Sequence, residues 1–140
     1  MSTAGRGRFL LRAELAWETP YWGRMGWLSR PATTGAQHLL FAEVEFAPGG
    51  CHDFHYHPEQ EEVLYVLDGR VEQWLERERR ILEAGDGLFV PAGVVHASFN
   101  ISEGRSRIIV AFAPSVGEEG YVPIEVGDQE PWRSLRPTGD

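Results

Sequence analysis

The chain has 140 residues, and its thirteen arginines, unaccompanied by any lysine, face 21 Asp and Glu for a net charge of −8. That length suits one domain with a substantial core, and the acidic balance argues against nucleic acid or an anionic membrane as partner. Without lysine there is neither Schiff-base chemistry nor a P-loop, and the single Cys51 makes no internal disulfide.

Residues 1–8 read as a disordered N-terminus. Arg12 ends the Phe9-Leu10-Leu11 run too early for the apolar core of a signal peptide, and no run approaches the ~20 apolar residues of a membrane span. A cytoplasmic location with no membrane partner is the expectation. Residues 9–37 form an aromatic-rich arm or a set of edge strands, with only a weak helical period over Arg8 to Trp17.

From His38 the sixteen glycines and nine prolines punctuate short apolar runs, as in an all-β chain. His38 to Phe46 alternates, with Leu40, Ala42, Val44 and Phe46 on one face and Phe41, Glu43 and Glu45 on the other. Val63 to Leu67 is a strand closed by Asp68-Gly69, a hairpin turn pair. Val71–Glu76 and Arg80–Leu82 flank a charged tip at Arg77-Glu78-Arg79. Leu88–Val90 and Ala97–Phe99 surround a turn at Pro91-Ala92-Gly93, and Arg107–Phe112 is the last clear strand. Turn signals about every ten residues predict a sandwich or barrel. Residues 114–140 are an extension and tail, polar and Pro-rich from Pro131.

Histidines carry the chemical signal. His55 and His57, at i and i+2 of an extended run, project from one face with Asp53, while His52 shares the opposite face with Phe54 and Tyr56. Cys51 has the parity of His55 but lies about 13 Å back along the strand, too far for a common metal; a bulge at Gly49-Gly50 would alter either assignment. Two imidazoles side by side followed by a carboxylate (Glu59, Glu61 or Glu62) make a chelating arm for a divalent transition metal, and His96 completes the shell from a facing strand.

These residues resemble the two motifs of the cupin superfamily. Gly49, His55, His57, Glu62 and Gly69 fit G-x5-H-x-H-x4-E-x6-G, and Gly85, Pro91, Gly93, His96 and Asn100 fit G-x5-P-x-G-x2-H-x3-N. The resemblance covers residues 38–113. It implies an antiparallel jelly-roll barrel (a double-stranded β-helix) in a single domain. It also implies one divalent transition metal ion (Zn, Fe, Mn or Ni) held by His55, His57, Glu62 and His96, with Asn100 bracing a turn. The Gly69 spacing selects Glu62 over Glu59 and Glu61. Three neutral imidazoles and one carboxylate leave a divalent ion near +1, with open positions for water, oxygen or a chelating substrate.

The other notable residues read more simply. His38 and His52 are surface or rim groups, and Cys51 is a small buried filler. Trp17, Tyr21, Trp22 and Trp27 pack rather than line a substrate mouth. Arg24, Arg105 and Arg107 are solvated rather than anchors for an anion. Leu64 and Val66, with the parity of Glu62, wall an apolar cavity, whereas Tyr56 and Tyr65 face away from it. The functional expectation is a small metal-dependent enzyme acting on an oxygenated or aromatic small molecule, of oxygenase, cyclase, isomerase or decarboxylase type, with no separate catalytic residue assigned. Its counterpart is a non-enzymatic cupin that binds a small ligand. A homodimer paired through an edge strand is expected as the assembly.

Overall fold

The computed structural model describes residues 7–136. The disorder expected of residues 1–8 falls outside this range except at Gly7 and at Arg8, whose guanidinium donates to the Thr33 carbonyl; residues 137–140 of the tail also lie outside it. Where a weak helix was in question there is a single 3-10 turn, Arg12–Glu14.

Eleven strands follow: β1 (Trp17–Glu18), β2 (Gly23–Ser29), β3 (Leu40–Phe46), β4 (Cys51–Tyr56), β5 (Glu61–Asp68), β6 (Arg70–Leu75), β7 (Glu78–Glu83), β8 (Gly87–Val90), β9 (His96–Asn100), β10 (Ser106–Ala113) and β11 (Ile124–Glu125). Two one-turn helices, α1 (Pro31–Thr34) and α2 (Trp132–Leu135), complete the elements of the described residues. The strands form two antiparallel sheets, one ordered β1-β2-β3-β10-β5-β8 and the other β11-β4-β9-β6-β7. This is the all-β jelly roll expected.

The alternation read in β3 holds: Leu40, Ala42, Val44 and Phe46 are buried between the sheets. They pack against Met25 and Trp27 of β2, Leu64 and Val66 of β5, and Ile108, Val110 and Phe112 of β10. Each large apolar side chain hidden this way contributes about 1.5–3 kcal/mol. A second apolar cluster (Phe54, Trp74, Ala97, Phe99 and Val126) covers the outer face of the five-stranded sheet, with Trp132 and Leu135 of α2 laid over it.

Two turns differ from expectation. Asp68-Gly69 closes no hairpin, because β5 pairs with β10 and β8 while β6 pairs with β7 and β9. It is a barrel corner that carries the chain from one sheet to the other. Gly69 has φ +89°, and a Cβ there would meet the Ser106 Cβ at 2.7 Å, so the corner admits only glycine without strain. The charged hairpin tip is also tighter than Arg77-Glu78-Arg79: Leu75 pairs with Glu78, leaving Glu76 and Arg77 as the turn, with Glu76 at φ 53°. Glu78, Arg79 and Arg80 belong to β7.

The aromatic residues of the N-terminal region divide. Trp22 and Trp27 are buried, Trp17 lies under the guanidiniums of Arg12 and Arg24, and Tyr21 is exposed. Packing is the main role, but Trp22 also lines the interior cavity described next.

Candidate metal centre

Four elements deliver the four side chains. His55 (β4) and His96 (β9) are direct cross-strand partners in the five-stranded sheet. Glu62 comes from β5 of the opposite sheet, and His57 from the segment joining β4 to β5. All four are buried, whereas Glu59 and Glu61 are exposed. The three imidazoles each offer a nitrogen within 4.8 Å of the others, and Glu62 Oε1 stands 2.8 Å from His96 Nε2 and 3.3 Å from His57 Nε2.

The outward nitrogen of every imidazole is committed. Nδ1–H of His55 donates to the Asp53 carbonyl at 2.7 Å, that of His57 to Val122 at 3.1 Å, and that of His96 to Val94 at 3.0 Å. With the proton on Nδ1, each Nε2 carries a bare lone pair toward the centre. His57 Nε2, His96 Nε2 and Glu62 Oε1 are fully buried and lack a hydrogen-bond partner. Acceptors that face one another at 2.8–3.3 Å when buried demand a cation or a proton between them. The donor set, three imidazole nitrogens and one carboxylate oxygen, is that of a divalent transition-metal site, so the residues present fit such an ion.

Protonation follows the same geometry. Burial, reinforced by His52, His96 and His57, pushes His55 well below its ordinary value and keeps it neutral. Burial would raise the Glu62 carboxyl, but when a proton rather than a cation sits between the groups, the charge it puts on the imidazoles of His96 and His57 outweighs burial and leaves Glu62 at about 2. Burial lowers His96, yet the Glu62 carboxylate prevails and raises it, which makes His96 the seat of a proton when no cation is bound.

His52 is not a rim group. The β4–β9 register runs His52↔Ser98 and then His55↔His96, three residues against two, so a bulge falls at Asp53-Phe54 rather than at Gly49-Gly50. The bulge swings His52 to the inner face, where its ring stacks on His55 at 3.5 Å and on Trp22 at 5.0 Å. It turns Asp53 away from the imidazoles to the outer face, beside Phe54 and Gly127. His38 is exposed as expected, and Cys51 is half-buried against the outer cluster rather than a filler of the core.

The remaining walls are apolar. Trp22, Met25, Leu64, Val110 and Phe112 line a narrow cavity that reaches His55, Glu62 and His96. Tyr121 closes it, its ring 5.2 Å from His57 and 5.0 Å from Phe112. Burial, with the charges of Glu62 and Glu125, drives this phenol well above its ordinary value, so it stays protonated. Sequence reasoning missed Tyr121, since nothing in the extension marks it. Tyr65 faces solvent and Leu64 faces the cavity, as parity required. Asn100 braces the neighbouring turn, donating to the carbonyls of Ala47 and Gly104 at 2.9 Å each and accepting the Ser102 N–H.

Comparison with known proteins agrees with this architecture. The family model described as "Cupin domain" matches residues 42–112. The chain is 33% identical to the polyketide synthase CurC of Streptomyces cyaneus over 92 residues, which cover 66% of this chain and 60% of that protein. It is 30% identical to the tetracenomycin polyketide synthase protein TcmJ of Streptomyces glaucescens over 100 residues, 70% of this chain and 67% of the other. Among solved structures, KdgF from a Halomonas species superposes with a TM-score of 0.70 at 24% identity, over 81% of this chain and 98% of its own. An oxalate decarboxylase from Lactobacillus farciminis, in a formate complex, gives 0.72 at 22% identity over 89% of this chain but 36% of its own. At those identities the structural likeness speaks for the fold.

Proposed function

The chain belongs to the cupin family, and we propose that His55, His57, Glu62 and His96 hold one divalent transition metal ion in a small enzyme acting on an oxygenated or aromatic small molecule. The observation that carries this reading is the set of buried acceptors: each of the three imidazoles donates its Nδ1–H to a backbone carbonyl, and His57 Nε2 and His96 Nε2 face the Glu62 carboxylate at 3.3 and 2.8 Å. When bound, the ion would act as a Lewis acid toward a carbonyl, acidify water or activate dioxygen.

The protein supplies the rest. Trp22, Leu64 and Phe112 keep bulk water from the centre and offer flat, apolar surfaces to a ring or acyl chain. Tyr121 lines the same cavity and stays protonated, so it can offer a neutral donor there. The names of CurC and TcmJ, polyketide synthase proteins, favour oxygenated ring systems as substrates. Zn, Fe, Mn and Ni all suit the donor set. Residues 38–113 form the working barrel in this reading, and a homodimer assembles through an exposed edge; β8, which ends the six-stranded sheet, carries the exposed Phe89.

The test begins with elemental analysis of protein purified without added metal. The protein is then loaded with Fe(II), Mn(II), Ni(II) or Zn(II) and screened for oxygen uptake and product formation across quinols, flavonoids and keto acids. Turnover with one of these ions is expected. Saturable binding without consumption under every ion would replace the enzyme with a ligand-binding cupin, and a chain that takes up no metal would end both readings.

A further inference from the structure

The residues matching the family model stop at 112, yet the metal-facing imidazoles take support from residues beyond it. Val122 supplies the carbonyl that fixes the His57 ring. Glu125, on β11, is the direct cross-strand partner of His55 and accepts a 2.9 Å hydrogen bond from His52 Nε2. His52 in turn lies face to face with His55, 6° from parallel, with Trp22 flanking its ring. A ring held this closely against another blocks its rotation about Cβ–Cγ. The His55 plane is therefore set at its edge by the Asp53 carbonyl and on its face by His52.

One buried side chain holds this segment in place. Gln60, between His57 and Glu62 in the chain, donates to the carbonyls of Pro114 (2.8 Å) and Gly120 (2.6 Å), and its Oε1 accepts the Val122 N–H at 3.1 Å. The loop that carries His57 and leads into β5 thus also anchors the segment that runs into β11 and supports the imidazoles.

We propose that His52 and Glu125 are positioning residues for the metal ligand His55, and that residues 120–125, pinned by Gln60, complete the metal centre from outside the residues that match the family model. This rests on the assignment of His55, His57, Glu62 and His96 as ligands. Partners that orient a ligating imidazole are typically worth about 10- to 100-fold in metal affinity.

The test uses the full chain with Co(II) as probe, read by chelator competition for affinity and by the visible d–d bands for geometry, beside thermal melting of the metal-free protein. His52→Ala is expected to weaken Co(II) binding about 10- to 100-fold and to shift the bands. His52→Phe, which keeps a flat ring against His55, recovers most of that affinity. Glu125→Ala produces a smaller loss with a band shift, and Glu125→Gln, which retains an oxygen acceptor, reverses it. A role in folding alone would move the melting temperature and leave the bands in place, and that result overturns the proposal. Glu125 is half in solvent, so its variants decide the matter even where His52→Ala does not fold. Unchanged Co(II) affinity and bands in both alanine variants, with His57→Ala losing the ion, would overturn the positioning role and leave the ligand assignment standing. A wild-type chain that binds no Co(II) would overturn the two together.

Discussion

Two faces of one sheet bury carboxylates in opposite ways. On the outer face of the six-stranded sheet, Glu43 and Glu45 are 7% and 4% exposed, and each is met by arginines: Glu43 by Arg12 at 2.9 Å and Arg107 at 3.1 Å, Glu45 by Arg24 and by Arg105 at 2.7 Å. On the inner face Glu62 is 4% exposed as well, but its neighbours are imidazoles, and among the described residues no arginine reaches it. A buried carboxylate is costly unless a positive charge accompanies it. The outer pair carry that charge in the chain itself, which marks them as part of the framework. The inner one must take it from solution, which marks it as a site. Arg24, Arg105 and Arg107, read from sequence as solvated, are neutralising partners of buried glutamates.

The comparison breaks most visibly at the imidazoles. His57→Ala is expected to abolish most metal uptake, with an affinity loss above the about 100-fold that an outer partner is worth, while the barrel stays folded because its apolar core is untouched. Unchanged metal content by elemental analysis would place the ion elsewhere.

A paired substitution sharpens it. Glu62→Gln keeps the shape and removes the charge, so metal affinity should fall steeply. Glu45→Gln removes the charge that Arg24 and Arg105 share, where a hydrogen bond to a charged group is worth about 1.5–3 kcal/mol, and metal content should not move. Calorimetry and metal analysis on the two variants read this exchange directly. Matching effects on both measurements would erase the distinction between the two faces.

The difference in legibility runs along the same line. The spacing of His55, His57, Glu62 and His96 is written in two short motifs, and the alternation of β3 announces which side of the sheet faces inward. Strand parity also placed Leu64 and Tyr65 correctly, because β5 is regular there. It failed for His52 and Asp53, since a bulge at Asp53-Phe54 leaves no mark in the sequence other than the register of a strand more than forty residues away. Tyr121, Val122 and Glu125 were illegible for a related reason. Their roles come from where Gln60 holds them, and a lone glutamine in a loop carries no pattern. The arginine cover of Glu43 and Glu45 likewise joins β3 to residues before β1 and to β10, contacts that only the folded sheet brings together.

The smallest expected effect concerns pH on the outer face. Hydrogen bonding to Arg12 lowers the Glu43 carboxyl; burial opposes this, and Arg107 adds to it. A carboxyl whose folded value lies below its unfolded one binds fewer protons in the native state. Its contribution to stability is therefore present above an unfolded value of about 4.3 and is lost as pH falls through the folded value. Urea unfolding midpoints should drop on acidification through this window, and Arg12→Gln should flatten the drop by bringing the Glu43 titration back toward its ordinary range. Arg12 is more than half exposed, so solvent screening keeps the change modest. NMR titration of the Glu43 carboxyl in the two proteins gives the cleaner measurement: coincident curves would mean that Arg107 and the sheet hold the charge without Arg12, and would move the outer framework's anchor from the N-terminal arm to β10.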